Sequence, residues 1–224
     1  MAQTPPRQNR PLLDEAASLD RLERRSVYYH TDRLALRPFS IVDAWPLWEA
    51  TRVARFNEHL LWPQPAHVDQ VFERAEAISA EARQRRLGAL SVGTRATGAW
   101  VALLRLMPGE IGHLELGLWT HPSFWEGGWS TEITRLAVAV AFEQTGAAVL
   151  TARTNTRNIA AQRVLEKAGF ERYAEAQTVP SEHGQPMPTL FYRQPRSGWR
   201  RAPEVYCRSD ATQREAVAEL ALAD

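Results

Sequence analysis

Cysteine and lysine are nearly missing from this sequence: 224 residues contain one of each, Cys207 and Lys167. A lone cysteine excludes an internal disulfide and fits a reducing compartment, so the cytoplasm is the expected location. Its plainest role is that of an ordinary buried or surface thiol. An excess of one charge is missing too. The 27 basic residues face 26 acidic ones for a net charge of +1, which leaves no strong field to draw nucleic acid or a membrane surface. The arginines form no long run, which speaks against a nucleic-acid binder. No stretch approaches the roughly 18 apolar residues of a membrane span. The polar, proline-punctuated first residues lack the apolar core of a signal peptide. His30, His59, His67 and His183 show no ligand spacing with one another or with Cys207, so no metal is expected.

With 44% hydrophobic and 24% charged residues, the chain has the composition of a globular protein with one full core. The pattern divides it into an amino-terminal extension (1–30), one domain (31–194) and a carboxy-terminal extension (195–224). In the first part, Leu12, Ala16, Leu19 and Leu22 lie near helical spacing. The domain opens on a strand, DRLALRPF (32–39). Ser40 and Asp43 then have capping-box spacing and start a helix carrying Trp45 and Trp48. These tryptophans share a face, and the plain expectation is that both are core. The motif LWPQP (61–65) breaks the chain. A helix follows from about Ala66 to Arg86, with Val71, Ala75, Ile78 and Ala82 on one face and Arg83, Arg85 and Arg86 in its last turn. Two strands (87–94 and 98–106) flank a turn at Arg95–Gly98. Near the end, RYAEAQTV and TLFYRQ read as a strand pair, and Pro188 argues for a strand end or an edge. The last extension holds a possible strand, EVYC, and a helix capped by Asp210 with Gln213. It would cover the sheet, bind a second subunit or lie over a groove.

The centre of the chain is the stretch from His113 to Phe170. It reads as strand (113–120), turn (121–130), helix (131–145), strand (147–154) and helix (158–168). Gly127 and Gly128 let backbone N–H groups converge, since no Cβ blocks the approach. The helix start behind them adds unpaired N–H groups and a positive dipole end. Together these would make a phosphate cradle, although an ordinary strand–helix connection also uses Gly-Gly. In the first strand, Leu114, Leu116 and Leu118 share one face; His113, Glu115, Gly117 and Trp119 share the other. A carboxylate in mid-strand is expensive to bury unless paired or used. Pairing with Arg105 or Arg153 is one account of Glu115, and acid–base chemistry the other. Asn158 is a good N-cap, and Gly169 ends the second helix.

The turn reads Trp125-Glu126-Gly127-Gly128-Trp129-Ser130-Thr131-Glu132. The second helix reads Asn158-Ile-Ala-Ala-Gln-Arg-Val-Leu-Glu-Lys-Ala-Gly-Phe170. From about Thr31 to Gln194 the sequence resembles the GNAT acyltransferase superfamily, and most closely its branch that acetylates the N-termini of ribosomal proteins. The resemblance implies a single α/β domain with a central twisted mixed sheet flanked by helices. It implies acetyl-CoA as co-substrate and transfer of acetyl to a primary amine by direct attack. The acceptor would be a protein N-terminus or a small amine, and the protein a monomer or homodimer. It also implies roles for particular residues. Glu115 matches the position of a general base. Trp119, Thr120 and His121 would offer backbone groups to the pantetheine arm. Trp125, Glu126, Gly127, Gly128, Trp129, Ser130 and Thr131 would surround the diphosphate. Asn158 would contact the cofactor arm; Arg163 would reach the cofactor or be a solvated helix residue. The first helices would wall the acceptor pocket. The sequence departs from the family at Glu126 (usually glycine), Gly127 (usually lysine), Ala161 (usually serine) and Leu165 (elsewhere a tyrosine). Those departures suit a second reading, a non-catalytic relative that binds CoA or a partner protein.

Overall fold

The computed structural model describes residues 28–58, 64–83, 88–179 and 187–208. The expected helices near residues 12–25 and behind Asp210 lie outside them, as do His59, His183, Arg85 and Arg86. The described chain opens with strands β1 (Tyr28–His30) and β2 (Leu34–Pro38), a 3-10 turn (Ile41–Asp43) and helices α1 (Ala44–Thr51), α2 (Ala54–Asn57) and α3 (Val68–Arg83). Strands β3 (Gly88–Thr94), β4 (Trp100–Pro108) and β5 (His113–Thr120) follow. After a 3-10 turn (Pro122–Phe124) come α4 (Trp129–Gln144), β6 (Val149–Asn155) and α5 (Ile159–Lys167). Strands β7 (Glu171–Val179), β8 (Met187–Pro195) and β9 (Tyr206–Arg208) complete it.

The nine strands form one mixed sheet in the order β7-β8-β6-β5-β4-β3-β2-β1-β9. Among the described strands only β5 and β6 run parallel; every other neighbouring pair is antiparallel. A parallel pair cannot be joined by a hairpin, and here α4 makes the crossover. Pro188 stands at the second position of β8, which is an interior strand. It is therefore the strand-end alternative that holds.

The sheet has a core on each face. On one side, α4 and α5 pack on Leu104, Leu106, Leu114, Leu116, Leu150 and their neighbours. On the other, α1 and α3 bury Leu47, Val71, Ala75 and Ile78 against Phe39, Ala89 and Leu103. Helix α4 is buried at nearly every position from Ile133 to Phe142. A helix that is apolar all round needs cover on all sides, and the sheet can supply only one. The chain after β8 supplies another. Trp199 meets Phe142 edge to face with ring centroids 5.4 Å apart, and Ala202 and Val205 join the same core. Arg135 then pairs with Glu204 at 2.6 Å, and β9 adds to the edge of β1. Of the roles open to the carboxy-terminal extension, residues 195–208 take that of covering the sheet and its main helix.

Trp45 departs from expectation: it is 54% exposed. The buried side of α1 is set by Ala44, Leu47, Ala50 and Thr51, and Trp45 lies away from that stripe. Trp48, beside Leu47, packs partly on the second core. The turn ahead of α1 is fixed by Asp43, which is 1% exposed. Its carboxylate accepts from Arg37 Nη1 at 2.8 Å, Ser91 Oγ at 2.6 Å and the Ser40 backbone N–H at 2.9 Å. These bonds satisfy a charge that would otherwise be costly to bury.

Helix α5 ends in a Schellman arrangement. The Phe170 N–H donates to Leu165 O at 3.0 Å and the Gly169 N–H to Glu166 O at 3.0 Å. Gly169 has φ +95°, and a Cβ there would come within 2.9 Å of Gln194 Nε2. Gly169→Ala should therefore cost about 1–2 kcal/mol, the penalty for an L residue in left-handed backbone. Urea unfolding checks this as a lower midpoint with an unchanged slope.

Candidate functional site

Strands β5 and β6 pair from His113↔Val149 to Leu116↔Ala152, and no further. Beyond that point β5 stays with β4 up to Thr120↔Ala102, while β6 stays with β8 up to Asn155↔Thr189. The only parallel pair among the described strands thus opens into a wedge. Residues Gly117–Thr120 line one side of it and Arg153–Asn155 the other.

Which backbone groups face the wedge follows from the ladder. His121 N–H donates to Val101 O at 2.8 Å, on the β4 side. Antiparallel alternation then turns the backbone of Trp119 toward β4 as well, and that of Leu118 and Thr120 toward the wedge. The carbonyl of Leu114, in the same phase, accepts from Thr151 Oγ1 of β6 at 3.1 Å. Of the three residues expected to present backbone groups, the ladder turns Thr120 toward the wedge and Trp119 and His121 toward β4, and Leu118 faces the wedge as well. Counting back by two from Thr120 would have found Leu118, but only with the pairing partner of His121 in hand. The Thr120 carbonyl already accepts from Trp125 Nε1 at 2.9 Å.

The turn at the mouth of the wedge carries its two glycines in left-handed backbone, and α4 starts at Trp129, two residues before the expected Thr131. Gly127 and Gly128 both have φ +79°, and Gly128 is the N-cap of α4. The first intrahelical bond there runs from Glu132 N to Gly128 O at 3.1 Å. The N–H groups of Gly128, Trp129, Ser130 and Thr131 therefore have no helical carbonyl to donate to. Ser130 Oγ donates to Thr120 Oγ1 at 3.1 Å, tying the helix start to the strand end. Glu126 is exposed. Around this turn sit residues that no sequence motif marked. Arg33 Nη1 donates to Gly127 O at 3.2 Å, and its guanidinium lies 4.0 Å from the Trp129 ring centroid. Arg55 of α2 stands 5.5 Å over the Trp125 ring. The one local signal for Arg33 was Glu132, an acid in the first turn of a helix that needs a partner.

On the other side of the wedge, Asn158 caps α5, its Oδ1 accepting from Ala161 N at 3.0 Å. Arg163 is exposed on the same helix. Glu115 points to the face that carries α3, and its Oε1 accepts from Arg153 Nε at 2.8 Å. Of the two arginines considered, Arg153 is the partner; Arg105 pairs with Glu81 of α3 at 3.0 Å. His121 accepts the Ser123 N–H on Nδ1 at 3.2 Å. Burial holds its pKa below the ordinary histidine value, with Glu49 pulling weakly the other way. A neutral ring matches that accepting bond. Trp48 lines a cavity of about 400 Å³ with Thr51, Arg52, Gln64, Pro65 and Ala66. Among the described residues, no group of three or more His, Cys, Asp or Glu side chains could hold a metal ion, and no helix is long and apolar enough to cross a membrane.

No curated protein matches the chain in sequence. Many solved structures share its fold. RimJ from Mycobacterium smegmatis, solved in complex with a CoA disulfide, superposes with a TM-score of 0.66 at 16% identity, covering 88% of this chain and 96% of its own. A GNAT-family acetyltransferase from Bacillus anthracis gives 0.65 at 15% identity, covering 75% and 98%. RimL, a ribosomal L7/L12 alpha-N-protein acetyltransferase solved with coenzyme A, gives 0.65 at 13% identity, covering 73% and 94%. At such identities the likeness speaks for the fold alone. The family itself is established by the sequence: residues 33–171 match the acetyltransferase (GNAT) domain, well over half of the chain, and the protein belongs to the GNAT acetyltransferase family.

Proposed function

We propose that the protein moves an acetyl group from acetyl-CoA to a primary amine by direct attack. The observation that carries this is a coincidence of position. The wedge between β5 and β6 ends where the uncapped N–H groups of α4 begin. An elongated ligand with amides at one end and a diphosphate at the other fits both. The Leu118 and Thr120 backbones would pair with the pantetheine amides. The N–H groups from Gly128 to Thr131, at the positive end of the helix, would hold the diphosphate. Trp125, Glu126, Gly127 and Trp129 shape that turn, and Asn158 and Arg163 line the start and side of α5. Acetyl-CoA supplies a thioester, whose carbonyl carbon takes the amine nitrogen as the carbon–sulfur bond breaks. A backbone N–H at the wedge would polarise that carbonyl.

The acceptor side is the face carrying Glu115, Trp119 and Trp48. An amine must lose a proton to attack, and most amines are cationic near neutral pH. We assign Glu115 as the base, acting directly or through water, with Arg153 fixing the direction of its carboxylate. We favour a protein N-terminus as the acceptor, in keeping with the ribosomal-protein substrate named for RimL; a small amine is the other choice. One observation favours binding without turnover. The Glu115–Arg153 ion pair gives the carboxylate a purely structural employment, while Ala161 and the buried Leu165 leave α5 without a hydroxyl at those positions.

Glu115→Gln separates the two readings. As the base, it should leave CoA affinity intact and lower acetyl-CoA turnover by roughly 10²-fold, with the loss shrinking at high pH, where the free amine needs no help. A panel of N-terminal peptides and small amines serves as acceptors. A wild-type protein that acetylates none of them, yet melts higher with CoA, would favour binding alone. Glu126→Gly tests the turn. An exposed carboxylate near a diphosphate repels it weakly, so the substitution should tighten CoA by about three- to tenfold at low salt, and less as salt rises. Calorimetric titration at two ionic strengths checks this.

A further inference from the structure

We infer that Arg33 is a positioning residue for the cofactor diphosphate: it fixes the peptide between Gly127 and Gly128 so that the Gly128 N–H faces the ligand. This rests on the acetyl-CoA reading given above.

Two adjacent glycines with φ +79° are an ambiguous hinge. Neither carries a Cβ, and glycine adopts either sign of φ at little cost, so the peptide plane between them can turn over. A side chain grafted at Gly128 would meet nothing within 4 Å, so nothing crowds the side-chain position of that residue. A cradle in which one plane flips presents a carbonyl to the phosphate instead of an N–H. Something outside the turn must choose the orientation.

Arg33, just before β2, makes that choice. Its Nη1 donates to Gly127 O at 3.2 Å. In a trans peptide the carbonyl and the next N–H point in opposite directions, and the described chain has no cis bonds. A Gly127 carbonyl bound to Arg33 therefore aims the Gly128 N–H away from Arg33, outward with the other free donors of the helix start. The guanidinium is itself held by three contacts. Its Nε donates to Glu132 Oε2 at 2.9 Å, its Nη2 pairs with the same carboxylate, and the Trp129 ring lies 4.0 Å beneath it. The other oxygen of Glu132 accepts from Thr31 Oγ1. The anchor is thus a closed network between the start of β2 and the first turn of α4. It also pairs the Glu132 charge, which would otherwise lie beside the diphosphate unopposed. A planar fork can bind Glu132 through Nε and Nη2 and still reach Gly127 with Nη1. An ammonium cannot span both.

Arg33→Lys keeps the charge and removes the span. CoA affinity is read by calorimetry, and pantetheine, which has no phosphate, by NMR titration. The expected result is a CoA Kd weakened about tenfold or more, the worth of one hydrogen bond to a charged group, with the pantetheine Kd unchanged within error. A merely structural role would weaken both ligands together. That result, or an unchanged CoA Kd, overturns the inference. A wild-type protein silent toward CoA overturns the acetyl-CoA reading beneath it, so the two failures are told apart. If Arg33→Lys does not fold, the wild type decides. The Gly128 amide of the free protein should have an NMR order parameter near 0.85, typical of rigid backbone, and a value below about 0.6 overturns the inference.

Discussion

Two parallel strands share hydrogen bonds only while they run side by side, and β5 and β6 stop doing so after four residue pairs. The rest of the site depends on that parting. Because the pair is parallel, its connection must cross over, and the crossover is α4. Because the crossover leaves from the carboxyl end of β5, the helix starts beside the gap. The backbone groups stranded by the parting and those stranded at the helix start therefore belong to one continuous surface. Ligands of α/β proteins gather outside the carboxyl ends of strands where neighbouring strands separate. Here the sheet reaches that geometry with a single parallel pair among antiparallel neighbours.

Electrostatics divide the two ends of this surface. At the helix start the donors are neutral N–H groups, aided by the dipole; of the charged residues nearby, Arg33 pairs with Glu132, while Glu126 stands exposed in the turn. On the face that carries α3, Glu115 is paired with Arg153 and Arg105 with Glu81. Exposed cations remain on α2 and just past the end of α1, where Arg55 and Arg52 stand 5.5 Å and 5.8 Å over the rings of Trp125 and Trp48. Indole faces attract such cations, so these contacts lead from the cavity beside Trp48 to the glycine turn.

The elements around the site were legible in the sequence because their signals are local. The strand at His113–Thr120 and the turn glycines need no partner to be read. Asn158 and Gly169 mark the ends of α5 by capping chemistry, and both cap as written. What could not be read was set by residues far apart in the chain. The phase of β5 depends on the bond from His121 to Val101, so Trp119 and Leu118 could not be told apart by periodicity alone. Trp45 and Trp48 share a helical face, but the buried stripe of α1 is fixed by what α3 and the sheet present to it. Arg33 meets Gly127 across 94 positions. The apolar run from Leu136 to Phe142 is enclosed by residues after Pro195, which lie more than fifty positions away and carry no local sign of that role.

That enclosure bears on how the chain folds. Strand β9 pairs with β1 through contacts such as Tyr28↔Arg208, which join nearly opposite ends of the described sequence. Such long-range pairings form late, since loop closure must precede any gain from contact. Until they form, one edge of the sheet and the outer side of α4 remain open to other chains. The protein is thus exposed to aggregation during synthesis, when its central layers have assembled and β9 has yet to leave the ribosome.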